Sequence, residues 1–273
     1  MNKPAVVFLG FVVAVGAVSA GGAWYTGKQL EPVLQTAIQS ANKELQTSMA
    51  GVDGSVTLEL VSLDRGVFSS TAHYRLKGQG SVFGEDNPNP ELLFVDHIEH
   101  GPLPFSRLVT LKWLPVMATS HYELEKNPTT EKWFAASKDV SPLKGVANIG
   151  YSRSVSGNIE LLPLEFKEAT SSVSFSGANL NFDSSAEGQK VKAEGFMNSL
   201  KVAAVDAEGA PFEAELAGLT VASNLEKTTF GFYTGQNTVE LTDTKVTFGP
   251  QKAVLTLKGF EQKDSSETKD NNL

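Results

Sequence analysis

The hydrophobic positions of this chain of 273 residues follow a different pattern in each successive part of the sequence. Residues 5–25 form an uncharged apolar run, and about 20 such residues make a helix that spans a bilayer core. From residue 29 to residue 50, apolar residues recur at helical spacing, which predicts an amphipathic helix. Its apolar stripe consists of Leu30, Leu34, Ile38, Ala41, Leu45 and Met49.

From residue 51 the apolar residues alternate with polar ones, as they do in β-strands. Val56, Leu58 and Leu60 alternate in this way, and a turn at 64–66 precedes a second alternating run, which predicts a β-hairpin. A short helix is predicted near 129–138. Further strands are predicted at 92–98, 106–113, 117–125, 155–161, 171–182, 190–196, 199–206, 212–222, 228–233, 237–248 and 252–258.

The alternation predicts antiparallel sheets with one solvated face, and therefore a mainly β fold. We expect an N-terminal transmembrane helix and a juxtamembrane amphipathic helix, followed by these extended sheets. The predicted divisions are a membrane anchor (1–28), the juxtamembrane helix (29–50), a periplasmic β-rich domain (51–261) and a disordered polar tail (262–273). The tail is predicted because it has almost no apolar residues to bury.

The flanks of the apolar run predict its orientation. A lysine precedes the run and favours a cytoplasmic N-terminus, while Trp24 and Tyr25 stand where aromatic residues lie at the outer membrane interface. The competing interpretation is a signal peptide that is cleaved after the small residues 18–20. Gly16 and Ala20 have the spacing of small residues in paired membrane helices, so a homodimer is a further hypothesis.

The composition excludes several classes of function. The chain has no cysteine, which rules out disulfides, thiolate metal sites and cysteine nucleophiles. Its net charge of −8 and its lack of clustered cations argue against nucleic-acid binding. Residues 22–28 fit the first part of a phosphate-binding loop, but the Ser or Thr that should follow the lysine is replaced by Gln29. We therefore reject a nucleotide site there, and no cofactor is predicted.

The densest group of possible metal ligands surrounds His97 and His100. On a helix two residues three apart share a face, whereas on a strand they point to opposite faces. The apolar residues before His97 and the turn after His100 favour a strand, so the pair is a weak metal candidate and His100 is expected to stabilise a turn. The larger aromatic residues are predicted to pack in the core or on the sheet: Phe94, Phe105, Trp113, Trp133 and Phe134.

Three sequence motifs resemble those of the YdgA/YihF-like bacterial proteins, an uncharacterised family. They are GAWYTGKQLE (22–31), DRGVFSS (64–70) and HGPLP (100–104). The motif positions that carry the resemblance are Trp24, Tyr25, Gly27, Lys28, Arg65, Gly66, Ser69, His100, Gly101, Pro102 and Pro104. The resemblance implies a single-pass protein of the Gram-negative inner membrane with a periplasmic β-rich domain. It implies no catalytic residues, and it includes proteins that continue well beyond this length.

These observations favour a non-enzymatic envelope scaffold that binds a protein partner or an apolar, lipid-like ligand. The alternative is an envelope hydrolase or metalloenzyme that uses His97 and His100.

Overall fold

The computed structural model describes residues 30–49, 51–83, 88–205 and 209–267. Within them the chain is mainly β, as predicted, with three helices: α1 (Leu30–Ser48), α2 (Phe105–Val109) and α3 (Glu131–Ala136). The predicted anchor lies outside the described residues. None of the helices in the described part of the chain is both long and apolar enough to cross a membrane.

The described residues form thirteen strands and two short 3₁₀ turns, Ser81–Phe83 and Ala186–Gly188. The strands are β1 (Ser55–Arg65), β2 (Ser69–Gln79), β3 (Glu91–His100), β4 (Ala118–Glu125), β5 (Leu143–Ile149), β6 (Val155–Leu161), β7 (Leu164–Lys167), β8 (Ser171–Phe175), β9 (Ala178–Ser184), β10 (Lys190–Val205), β11 (Pro211–Lys227), β12 (Tyr233–Phe248) and β13 (Ala253–Ser266).

The chain divides into two compact units, although the sequence predicted one domain over 51–261. The first unit comprises the residues up to Glu131 together with Lys144–Gly157. The second comprises Lys132–Leu143 and the residues from Asn158 onward. Regular strand spacing does not reveal which strands pack together, and for this reason the division could not be read from the pattern.

In the first unit, strands β1 to β5 pair in chain order as an antiparallel sheet. The predicted helical stripe is confirmed in α1, where Leu34, Ile38, Ala41, Leu45 and Met49 are buried. Every second residue of the central strands is buried as well, so one face of the sheet supplies the core. These buried residues are Ala72, Tyr74, Phe94, Asp96, Ile98, Ala118, Ser120, Tyr122, Leu124, Ala147 and Ile149.

Helix α1 also pairs with the edge of this sheet through one side chain. The Asn42 side-chain oxygen accepts the Leu58 backbone N–H at 2.7 Å, and its amide nitrogen donates to the Leu58 carbonyl oxygen at 2.9 Å. Asn42 therefore satisfies both backbone groups of an edge-strand residue, groups that would otherwise require water or another strand. Arg65 Nη2 at the end of β1 lies 3.9 Å from Glu31 Oε2, so the two contacts together place α1 antiparallel to β1, with the start of α1 beside the end of β1.

Three connections meet at the end of the first unit where β1, β3 and β5 finish. They are the turn at 66–68, the segment 101–117 and the turn at 150–154. Because α1 is antiparallel to β1, the start of α1 belongs to this end too. We call it the motif end, since the DRGVFSS and HGPLP motifs lie there.

In the second unit, strands β9 to β13 pair in chain order, and β8 pairs with both β10 and β7. The strands β10 to β13 are long, with 14–17 residues each. No side chain of β11, β12 or β13 is buried. The described part of this unit thus contains a wide sheet whose last three strands bury no side chain, although Met197 of β10 is buried.

Five predictions of local structure are corrected. The segment 106–113 is not a strand, because α2 and a turn occupy it, and residues 228–232 form a turn before β12. The predicted strand 171–182 is two strands, β8 and β9. The predicted pair of strands at 190–206 is one strand, β10. The predicted disordered tail is wrong for 262–266, where β13 continues and pairs with β12. These polar residues have no apolar side chains to bury, but backbone hydrogen bonds to the neighbouring strand keep them in β13.

Candidate functional site

Residues of two family motifs come together at the motif end. The turn after β1 closes when the Gly66 backbone N–H donates to the Ser69 carbonyl oxygen at 2.8 Å. His100 then ties this turn to β3, since its backbone N–H donates to the Phe68 carbonyl oxygen at 2.8 Å. Its ring Nδ1 lies 3.2 Å from the Val67 carbonyl oxygen. His100 therefore stabilises a turn, as predicted, but the turn belongs to the neighbouring hairpin.

The rest of the HGPLP motif shapes the backbone of the next connection. The Gly101 N–H donates to the Met117 carbonyl oxygen at 2.6 Å, and a Cβ atom at Gly101 would lie 2.0 Å from the Val116 carbonyl oxygen. Only glycine allows this approach. The bond between Gly101 and Pro102 is cis. Pro104 is fully buried, and its carbonyl oxygen accepts two backbone N–H groups from the first turn of α2.

Arg65, the remaining motif residue in the described part of the chain, marks where α1 begins. Its Nη2 lies 3.9 Å from Glu31 Oε2 at the start of α1, and both side chains are almost half exposed. An exposed pair of this kind adds little stability. The motif positions Trp24, Tyr25, Gly27 and Lys28 lie outside the described residues.

The structure does not bring His97 and His100 into one site. His97 Nδ1 lies 3.2 Å from Thr71 Oγ1, whereas His100 Nε2 lies 3.0 Å from Ser70 Oγ on the opposite face of the sheet. This is the geometry expected for residues three apart on a strand. Across the described residues, no group of three His, Asp or Glu side chains is arranged to hold a metal ion.

A second polar cluster, which the sequence did not reveal, joins β3, α2 and β4. The Ser106 backbone N–H donates to Glu99 Oε2 at 3.1 Å, and the Ser106 hydroxyl donates to the same oxygen. His121 Nε2 lies 3.2 Å from Ser106 Oγ and 4.0 Å from Glu99 Oε2. In a catalytic triad the acid binds the other nitrogen of the imidazole. Here the acid and the histidine meet the same serine oxygen, so the cluster fastens α2 to the sheet.

Asp96 is an acid within the apolar core of the first unit. Its side chain is 2% exposed and accepts one hydrogen bond, from Ser120 Oγ at 2.6 Å. Burial raises its pKa to about 6, and the bond from Ser120 opposes that rise. Burial, with the nearby Asp96 carboxylate, also raises the pKa of Tyr74 and of Tyr122. The sequence signal for this buried acid was an aspartate at a position between Phe94 and Ile98 where the alternation of the strand calls for an apolar residue.

The second unit carries two sharply different faces on its sheet. One cross-strand row consists of apolar residues only: Phe166, Val173, Val202, Ala214, Val246 and Leu255. The neighbouring row, which points to the other face, is polar throughout: Glu165, Ser174, Lys201, Glu215, Lys245 and Thr256. Six strands at about 4.8 Å spacing make each row about 24 Å wide.

Two further rows extend the apolar face. The first is Leu164, Phe175, Leu200, Leu216, Thr244 and Leu257, and the second is Ser171, Ala204, Phe212, Phe248 and Ala253. We call these three rows the apolar sheet face. None of its side chains is buried, and Leu255 is 63% exposed. The alternation in the sequence predicted apolar faces, but only the strand register shows that these residues align.

Comparison with known proteins places the chain in a family. The family described as bacterial protein of unknown function (DUF945) matches residues 1–273. The chain belongs to this family. The resemblance inferred from the three motifs is thereby confirmed. No solved structure matches the chain.

Three curated proteins match the chain over part of their own length. The protein YdgA of Escherichia coli K12 is 28% identical over 265 residues, which cover 96% of this chain and 51% of YdgA. The uncharacterized protein YihF of the same organism is 28% identical over 158 residues, covering 58% of this chain and 33% of YihF. An uncharacterized Haemophilus influenzae protein is 28% identical over 159 residues. The chain spans about half the length, or less, of the curated relatives it matches.

Proposed function

We propose that the chain is a non-enzymatic, membrane-tethered protein of the bacterial envelope whose second unit binds an apolar, lipid-like ligand. Residues 5–25 cross the inner membrane, and the β units lie in the periplasm. The uncharged run and the aromatic residues that follow it support the tether. A protein partner for the same face and a homodimer through the anchor stay secondary hypotheses.

The apolar sheet face is the observation that carries the ligand proposal. A sheet with one apolar face normally buries that face against a second layer. Here eight to nine of every ten side chains in three aligned rows are apolar, yet none is buried. Large exposed apolar patches mark binding surfaces in soluble proteins. A face about 24 Å wide and lined by aliphatic and aromatic side chains suits acyl chains, which offer no hydrogen-bonding groups.

Lipid binding is tested with two adjacent substitutions on β13. Leu255→Glu places a charge in the all-apolar row, whereas Thr256→Glu places it in the all-polar row on the other face. Both residues are exposed, so neither change removes a core side chain. We expect native mass spectrometry of the full chain to show bound lipid for the unchanged protein and for Thr256→Glu, and much less for Leu255→Glu.

Transfer of labelled lipid between vesicles should follow the same order. The ligand proposal fails if no lipid co-purifies and no transfer occurs, or if the two glutamate variants behave alike. The tether has its own test. Extraction of membranes with alkaline carbonate should leave the chain in the pellet, and its intact mass should include residues 1–29. A mass that begins after residue 20 would instead establish the cleaved signal peptide.

No observation favours the alternative of a hydrolase or metalloenzyme at His97 and His100, because the two side chains lie on opposite faces of β3.

A further inference from the structure

The exposed apolar side chains of the first unit are concentrated at one end. Within its described residues, every large apolar side chain that is exposed lies at the motif end, except Val61. They include aromatic residues that were predicted to be buried, among them Phe105 at 73% exposure and Trp113 at 63%. Together they are Val67, Phe68, Leu103, Phe105, Val109, Leu111, Trp113, Leu114 and Tyr151.

Hydrogen bonds connect the loops that carry these side chains. The Phe68 carbonyl oxygen accepts the backbone N–H of His100, which directly precedes the segment 101–117. Within that segment, Arg107 donates to the Leu114 carbonyl oxygen at 3.1 Å and to Asn148 Oδ1 at 2.9 Å. The apolar groups are therefore presented on connected, hydrogen-bonded loops at a single end of the sheet.

The three connections at this end carry charge of the sign opposite to that of the whole chain. Residues 66–68, 101–117 and 150–154 contain no acidic residue, but they contain Arg107, Arg153 and the exposed Lys112. The acids Glu31, Asp64 and Glu99 lie on the adjoining helix and strands. Cations beside apolar and aromatic side chains are typical of surfaces that meet anionic lipid headgroups. Although the whole chain has a net charge of −8, it places cations at the motif end, where apolar side chains are exposed.

The position of α1 relates this end to the apolar run near the N-terminus. Only four residues separate Tyr25 from Leu30, where α1 begins, and five residue steps span at most about 17 Å. The start of α1 lies at the motif end, where Glu31 is 3.9 Å from Arg65. A membrane segment at 5–25 would therefore leave the bilayer close to the exposed apolar side chains.

From these observations we propose that the motif end is a membrane-contacting surface, whose apolar side chains enter the bilayer interface while Lys112 meets anionic headgroups. Val67, Phe68, Phe105, Trp113 and Leu114 form its centre. The placement next to a bilayer rests on the tether under the proposed function, but the surface itself would bind lipid without it. Contact of this kind would hold the first unit with its motif end against the membrane.

The absence of native cysteine allows a direct test on the full chain. Single variants Phe68→Cys and Leu114→Cys carry an environment-sensitive fluorophore at the motif end, and Asn89→Cys carries it at the opposite end of the same unit. All three positions are exposed. The labelled chains are reconstituted in vesicles of phosphatidylethanolamine and phosphatidylglycerol, and equal thermal midpoints show that the labels leave the fold intact.

We expect lipid-borne nitroxides to quench the labels at 68 and 114 several-fold more than the label at 89, and aqueous iodide to show the reverse order. Lys112→Glu should lower the nitroxide quenching in these vesicles, but not in vesicles of phosphatidylcholine alone. Equal access of iodide to all three labels would overturn the proposal. Protection from both quenchers would overturn it too, because a protein partner would then cover the surface.

Alkaline carbonate extraction separates this proposal from the tether. If the chain resists extraction and the labels at 68 and 114 are open to iodide, the tether stands and the membrane-contacting surface is refuted. If carbonate releases the chain and the nitroxides still quench those labels before extraction, the surface stands and the tether fails. Release by carbonate together with full iodide access refutes both.

Discussion

Replacing Asp96 by asparagine should make the first unit more stable at neutral pH and remove a pH dependence. Asp96 is buried among apolar and aromatic side chains and has one hydrogen bond, from Ser120. Asparagine has nearly the same shape and keeps an oxygen that can accept this bond, while it carries no charge. The substitution thus removes the cost of ionising a carboxyl group in the core, while its amide group places two N–H donors there.

The magnitude follows from the shift in pKa. Burial raises the pKa of Asp96 from 3.8 to about 6, and each unit corresponds to about 1.4 kcal/mol. Ionisation of Asp96 therefore costs the folded state about 3 kcal/mol. Between pH 3.8 and about 6, the folded state keeps a proton that the unfolded state has released. The free energy of unfolding should fall as the pH rises through this window, and the loss is complete above it.

Urea unfolding of the full chain in detergent, followed by circular dichroism from pH 4 to pH 8, measures this effect. Asp96→Asn should lack the fall and should exceed the unchanged protein by up to about 3 kcal/mol at pH 8, with the difference shrinking toward pH 4. The control is Asp64→Asn, which removes an exposed carboxylate on β1. If the free energies of unfolding of the unchanged protein and of Asp96→Asn differ by a constant amount over the whole pH range, the Asp96 carboxyl group does not titrate within that range in the folded state.

Three further substitutions test other contacts. Ser120→Ala removes the hydrogen bond that lowers the pKa of the buried acid, so the pH-dependent fall in stability should extend to higher pH in the same titration. Asn42→Ala leaves both backbone groups of Leu58 without their partner and should cost about 2 kcal/mol, with faster amide exchange at Leu58; unchanged exchange would contradict this. Gly218→Ala should lower the thermal midpoint, since glycine there has φ of 65° and a Cβ atom would lie 2.2 Å from Thr242 Oγ1. Adding Thr242→Ala should restore only the part of the thermal midpoint that was lost through the steric contact. A full return of the thermal midpoint would refute the contribution of φ.

The sequence allowed the period of each segment to be predicted, and the structure confirms the helix near 29–50 and most strands. It misled at 106–113, where apolar residues resemble a strand but Pro102 and Pro104 lead into α2. Trp113 and Phe105 were expected in the core because large aromatic residues are usually buried. They are exposed because the short α2 and its loop have no second layer above them within the described part of the unit.

The register of the strand pairing was the main feature that could not be predicted from the sequence. Val202 and Leu255 were visible as apolar residues in predicted strands, whereas Phe166 lies in β7, which the sequence did not predict. That they stand in one row across six strands depends on pairings between residues up to 32 positions apart, in a row whose ends lie 89 positions apart in the sequence. In the same way, no local signal linked Glu99 to Ser106 and His121, because the contact requires the loop between β3 and β4 to fold back.

The family motifs explain folding better than they explain function. Gly66 and Gly101 serve backbone geometry, and His100 bonds chiefly to the carbonyl oxygen of a turn. A relative can share such residues without sharing a ligand. An apolar surface, by contrast, requires only that its side chains be apolar. Between relatives that are 28% identical, one apolar residue can replace another without altering such a surface. Substitutions of Gly66, His100 or Gly101 should therefore damage the fold, whereas charges placed on the apolar sheet face or on the membrane-contacting surface should damage binding and leave the fold intact.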